Sequence, residues 1–127
     1  VAALDLARQI HADSRTRGDD TVRLLAAHRL AWFCPMNARY DEGYEFAAEA
    51  VSGWQARGER SREAKARSAG AFALSLMGDD GALDEAVTAE ALVRNSDDRC
   101  ALASTSSTLA IVLTTAKQFE EAASYAR

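Results

Sequence analysis

Alanine is the feature that most restricts this chain. Twenty-eight of its 127 residues are alanine, while valine and isoleucine together number eight. Alanine loses no side-chain entropy in a helix, whereas sheets draw on β-branched and aromatic residues. An all-β fold is therefore excluded, and an α/β fold has little to build its strands from. One proline, Pro35, leaves long stretches free to be helical. Apolar residues make up 48% of the chain, enough to form a core rather than a disordered tract.

The apolar positions recur with a helical period. Val22, Leu24, Leu25, Leu30, Ala31, Phe33 and Cys34 mark a helix over 20–38. The same pattern predicts helices over 41–56, 61–77, 83–94, 98–116 and 119–127, with a first one over 1–16, seven in all. Gly18, Gly58 and Gly78 stand where helices end, because glycine accepts positive φ at low cost. The pairs Asp19-Asp20, Asp79-Asp80 and Asp97-Asp98 sit at the turns, where aspartate caps the next helix. Pro35 reads as an early stop to its helix.

Other classes of function are excluded by composition. The net charge of −4 and a pI near 5.1 give no basic face for neutralising phosphates, so no nucleic-acid partner is expected. No apolar run is long enough to span a bilayer, and no basic-then-apolar leader opens the sequence. Cys34 and Cys100 are too few for a disulfide scaffold, and both read as buried packing residues. A cytoplasmic location is expected from that cysteine usage.

An internal repeat underlies the helical pattern. Residues 7–32 overlay 47–72 at an offset of 40, and Ala110 follows Ala71 by 39 residues. Small residues recur mid-way in alternate helices (Ala31, Ala71, Ala110) and near the start of the others (Gly43, Ala86, Ala122), where they let helix pairs approach closely. Tyr40-Asp41-Glu42-Gly43, Leu83-Asp84-Glu85-Ala86 and Phe119-Glu120-Glu121-Ala122 repeat an aromatic or leucine followed by two acids and a small residue.

Taken with Leu30-Ala31, Gly70-Ala71 and Leu109-Ala110, these tetrads resemble the tetratricopeptide repeat. The period is near 40 rather than 34, and the closing proline is missing. The longer period resembles repeat arrays of bacterial signalling proteins, such as diguanylate cyclases and transcription activators. The resemblance implies an all-α, right-handed solenoid of antiparallel helix pairs, one domain over 1–127, with a four-helix bundle as the competing architecture. It also implies a concave groove lined by the first helix of each pair. That groove would present Leu25, His28, Trp32 and Met36; then Lys65, Ser68, Phe72, Ser75 and Leu76; then Ser104, Ser107, Ile111, Thr114 and Thr115.

No catalytic or metal constellation emerges from the residues. His28 and Cys34 are six positions apart, roughly 240° around a helix, so they do not share a face. No HExxH, phosphate loop or GxSxG is present. His11 and His28 read as solvated or core-edge histidines. Glu42, Glu45 and Glu49 share one helix face and read as a solvated acidic surface. The expectation is a non-enzymatic module, without cofactor or metal, that binds a protein or peptide in the groove. The alternative is a sensory domain that takes a small ligand and regulates an attached output domain. The sequence also reads as a fragment of a longer protein. Leu4, Leu6, Ala7 and Ile10 at one end, and Phe119 and Ala122 at the other, would then drive self-association through uncapped faces.

Overall fold

A computed structural model describes residues 2–125. Among these residues all regular structure is helical. The helices are α1 (Ala2–Arg17), α2 (Asp20–Met36), α3 (Tyr40–Ala56), α4 (Arg60–Leu76), α5 (Gly81–Val93) and α6 (Arg99–Tyr125). Val1, Ala126 and Arg127, which the expected first and last helices included, lie outside the described residues.

The first four turns are built alike. Residues 18, 38, 58 and 78 all have left-handed backbone, with φ between 61° and 71°. In each turn the amide of the following residue donates to a carbonyl five positions back. Asp19 N donates to Ser14 O at 2.9 Å, Arg39 N to Cys34 O at 2.8 Å, Glu59 N to Trp54 O at 3.0 Å and Asp79 N to Leu74 O at 2.9 Å. This is the Schellman arrangement, which satisfies carbonyls that a helix end leaves open. Glycine occupies three of the four positions, as its spacing in the sequence predicts. The fourth is Ala38, which the periodic pattern had placed inside the helix. Asp19 and Asp98 do cap α2 and α6, accepting from Val22 N at 3.2 Å and Ala101 N at 3.0 Å.

α6 departs from the expected seven helices. It runs unbroken through 117–118, where a turn was expected. Ala116, Lys117 and Gln118 are all good helix formers, and no glycine, proline or asparagine interrupts them. Its buried side is Ala101, Thr105, Thr108 and Val112, while Ala110 and Ala122 are exposed. The third copy of the repeat thus has no second helix folded back on the first.

Packing also differs from the expected solenoid. α4 touches α2, α3, α5 and α6, and these non-sequential contacts tie the helices into a compact bundle. The right-handed solenoid of antiparallel pairs, and the tetratricopeptide likeness that implied it, are overturned by this cross-packing. The reason lies in α4's side chains. Ala66 joins Leu24, Ala27, Ala50 and Trp54 of α2 and α3. Ala69 meets Ala31 and Ala47. On its other flank Ala71 and Leu74 meet Ala82, Ala86 and Val112, and Ala64 meets Val93 and Ala101. At the near end Leu4 and Ala7 of α1 pack on Leu30 and Cys34, leaving Leu6 and Ile10 as the exposed large apolar residues of that helix.

Close approach against a rigid neighbour occurs where α3 starts. A Cβ on Gly43 would stand 2.6 Å from Pro35 Cδ and Cγ and 3.3 Å from Ala31 O. The proline ring cannot swing aside, so Gly43→Ala should cost about 1–3 kcal/mol through overpacking. Ala38→Gly should act the other way. Relief of the left-handed alanine should stabilise by about 0.5–1 kcal/mol. Urea denaturation of both variants checks the pair, and an unchanged midpoint for Gly43→Ala would refute the close approach.

Candidate functional site

A large opening lies between α1, α2, α4 and α6, with Trp54 of α3 also in its lining. Its volume is about 860 Å³. The apolar part comes from Leu6 and Ile10 on α1 and from Val22, Leu25, Ala26 and Phe33 on α2. Leu6 is 59% exposed and Leu25 44%, values that leave these side chains open to contact. The polar part comes from His28, Arg29, Arg62, Lys65, Cys100 and Ser104.

Local sequence explains this geometry. α1 buries Leu4, Ala7, His11 and Ser14, a stripe of three- and four-residue steps. Leu6 and Ile10, also four apart, therefore fall on a second stripe facing the opening. On α2 the small side chain of Ala26 lines the cavity beside Leu25 and His28, while Ala27 turns into the core.

His28 is the site's most perturbed group. Burial lowers its pKa from 6.5 to about 4, and the positive charges of Arg29 and Lys65 add to the shift. The ring is therefore neutral at pH 7. It makes no hydrogen bond to another side chain among the described residues. Arg62 stacks over Trp54, its guanidinium carbon 4.7 Å from the ring centroid, and its Nε is 3.8 Å from a Glu59 oxygen. Across the mouth, Asp98 is pulled below the usual carboxylate range, first by the amide of Ala101 and more weakly by Ser61 and Lys65.

The expected groove residues separate into distinct places. Leu25, His28, Lys65 and Ser104 line the cavity together. Trp32 and Phe72 do not. Both are half-buried, with ring centroids 5.5 Å apart, and Trp32 packs on the Ala31, Ala47 and Ala69 cluster. Ser68 and Ser75 are buried in α4, and the Ser68 hydroxyl has no hydrogen-bond partner. Met36, Leu76, Ser107, Ile111 and Thr114 are exposed away from the cavity, and Thr115 is half-buried. Sequence periodicity missed the contribution of α1, because the presumed repeat assigned Leu6 and Ile10 to the outer helix of a pair. Arg29 and Arg62 were not among the expected groove residues.

Several other sequence readings change. Cys34 is buried, and that burial pushes its thiol pKa up, but Cys100 is exposed at the cavity. His11 is buried rather than solvated, 8% exposed. Its Nε2 lies 3.0 Å from both oxygens of Glu49, and its ring meets Phe46 edge-on. Glu49 also accepts from Arg23 at 2.5 Å, and Glu42 accepts from Arg8. Two of the three acids on α3 thus dock α1 and α2, and that face is not simply solvated. Among the described residues no three His, Cys, Asp or Glu converge as metal ligands, and no helix is long and apolar enough to cross a membrane.

No protein-family model matches the chain, and no curated protein or solved structure matches it either.

The perturbed histidine makes stability depend on pH. The unfolded chain takes up a proton near pH 6.5, while folded His28 resists protonation until about pH 4. Below pH 6.5 the unfolded state binds more protons, so stability falls as pH drops from 6.5 through 4. The loss approaches about 3 kcal/mol at the lower limit. His28→Gln should flatten this part of the profile, measured as urea midpoints at pH 7, 5.5 and 4.5. A variant as acid-sensitive as the parent across that window would contradict the assignment.

Proposed function

We propose that this chain is a non-enzymatic protein-interaction domain that takes an apolar segment of a partner into the cavity between α1, α2, α4 and α6. The observation that carries this reading is the row of exposed apolar side chains, Leu6, Ile10, Val22 and Leu25, around one opening. Exposed apolar residues gathered in one place mark interaction surfaces more often than scattered ones do. They can anchor a partner by burial, while the polar groups along one side set orientation.

The absence of catalysis is part of the proposal. A nucleophile needs a base within hydrogen-bond reach. His28 shares no hydrogen bond with Ser104 or Cys100 among the described residues. A histidine protonated only near pH 4 is also a weak base at neutral pH.

A second reading has one observation in its favour. A volume of about 860 Å³ falls within the range of small-ligand sites. A sensory domain would need a ligand held in that volume.

The test is a charge placed on the apolar row. Leu25 is 44% exposed and outside the buried core, so Leu25→Asp should lower the thermal midpoint by only a few degrees. It should weaken capture of a helical peptide carrying an apolar stripe by about tenfold or more. Unaltered capture by Leu25→Asp, with the fold intact, would remove the cavity from the interaction.

A further inference from the structure

We propose that the segment bound in this cavity is an acidic amphipathic helix of a partner protein, its apolar stripe on Leu6, Ile10 and Leu25 and its carboxylates on Arg29, Arg62 and Lys65. This rests on the interaction reading above and specifies the partner's chemistry.

Charge segregation is the first argument. The chain carries 19 acidic and 15 basic residues, yet the cavity lining holds three cations and no carboxylate. Elsewhere several arginines dock against acids between or along helices: Arg8 with Glu42, Arg23 with Glu49, Arg67 with Glu63 and Glu85, Arg94 with Glu90. Arg29 and Lys65 make no ion pair among the described residues. Arg62 has only the long contact to Glu59 and the face of Trp54. The cavity lining therefore carries three cations, and the nearby acids, Glu59 at 3.8 Å from Arg62 and Asp98 within the field of Lys65, stand outside that lining. A neighbouring neutral histidine is consistent with those cations, since Arg29 and Lys65 both oppose its protonation. An incoming carboxylate gains from all three cations, and an incoming lysine is repelled by them.

Backbone chemistry is the second argument. An extended peptide gains affinity by adding to a strand edge, and the described residues contain no strand. Entering an apolar cavity without such partners would strand its amides. A helix satisfies its own backbone and exposes only side chains. Leu6 and Ile10 stand one helical turn apart, the spacing that an apolar stripe on a facing helix can follow.

The experiment uses two synthetic peptides of roughly 16 residues, with leucines at helical spacing and either glutamates or lysines beside them. Binding to the 127-residue chain is followed by fluorescence anisotropy at low and high salt, with sodium dodecanoate as a third ligand. The glutamate peptide should bind at least about tenfold more tightly than its lysine twin, and salt should erode the difference. Arg29→Glu with Lys65→Glu should reverse the preference, with circular dichroism confirming the fold. Bound carboxylates should also raise the His28 titration seen by NMR from about 4 toward 6.5, a change that mere stabilisation of the fold would not produce. Equal affinity for the two peptides would overturn the acidic assignment and leave the cavity as an apolar interaction site. Failure of both peptides to bind would overturn the interaction reading itself. Dodecanoate displacing the glutamate peptide at lower concentration would assign the cavity to a small amphiphile instead. Alkylation of exposed Cys100 with a bulky maleimide should block the peptide, and undiminished binding after alkylation would place it outside the cavity.

Discussion

The thinness of α4 is the constraint on which the other helices depend. Nearly every residue that α4 buries is alanine, serine or glycine, and the buried set lies all around its axis rather than along one stripe. A helix buried on all sides normally carries large apolar residues. Here small ones let neighbouring backbones come close, and those neighbours supply the bulk: Leu24, Trp54, Val93 and Val112. Dispersion between closely packed backbones then substitutes for large side chains. Ser68 bears the penalty of this arrangement. Its hydroxyl is enclosed where no partner is within reach, at a cost of about 1–3 kcal/mol.

Polar interactions set how α1 and α3 seat themselves around this centre. Glu49 receives His11 from α1 and Arg23 from α2, so one carboxylate ties three helices. Glu42, nearer the start of α3, joins that helix to α1 through Arg8 and also meets Arg39 of the preceding turn at 3.5 Å. On the far side Arg67 spans Glu63 of its own helix and Glu85 of α5, at 2.9 and 2.6 Å. Apart from the exposed Arg39–Glu42 contact, these pairs are partly shielded from water, so salt screens them less than it screens a surface pair. Their main consequence is register. Apolar contacts between alanines tolerate sliding, whereas a bidentate carboxylate contact has one geometry.

How much of this was legible in the sequence depends on the range of the physics involved. Helix existence and the glycine turns are local, and Gly18, Gly58 and Gly78 announce themselves. The need for a small residue at Gly43 was also visible, although its partner, the Pro35 ring, was not. Ala38 was hidden because alanine in left-handed backbone has no compositional signature. The continuity of α6 was hidden because the repeat suggested a turn that no residue at 116–118 enforces. The larger architecture was misjudged for a related reason. A 40-residue period records which residues are alike, and it does not record that α4 meets four neighbours at once. The candidate site was half visible. Leu25, His28, Lys65 and Ser104 were on the expected helices. Leu6 and Ile10 join them only through the docking of α1, and Arg29 and Arg62 lie beside them on α2 and α4.

The same ion pairs that seat the helices also explain why the cavity is cationic. α3 directs Glu42 and Glu49 toward α1 and α2, and α5 directs Glu85 toward α4. Those acids are consumed in joining helices and take Arg8, Arg23 and Arg67 with them. Arg29 lies one helical turn and more beyond Arg23, on a face of α2 that α3 does not reach, and Lys65 lies two residues short of Arg67 on the opposite side of α4 from Glu85. Arg29 and Lys65 share a helix with paired arginines but not their face, and they make no ion pair among the described residues. The cationic lining thus follows from which faces the helices use for one another. An acidic chain can therefore present a basic, apolar opening with no basic segment in its sequence, and a partner need match only that one opening in charge.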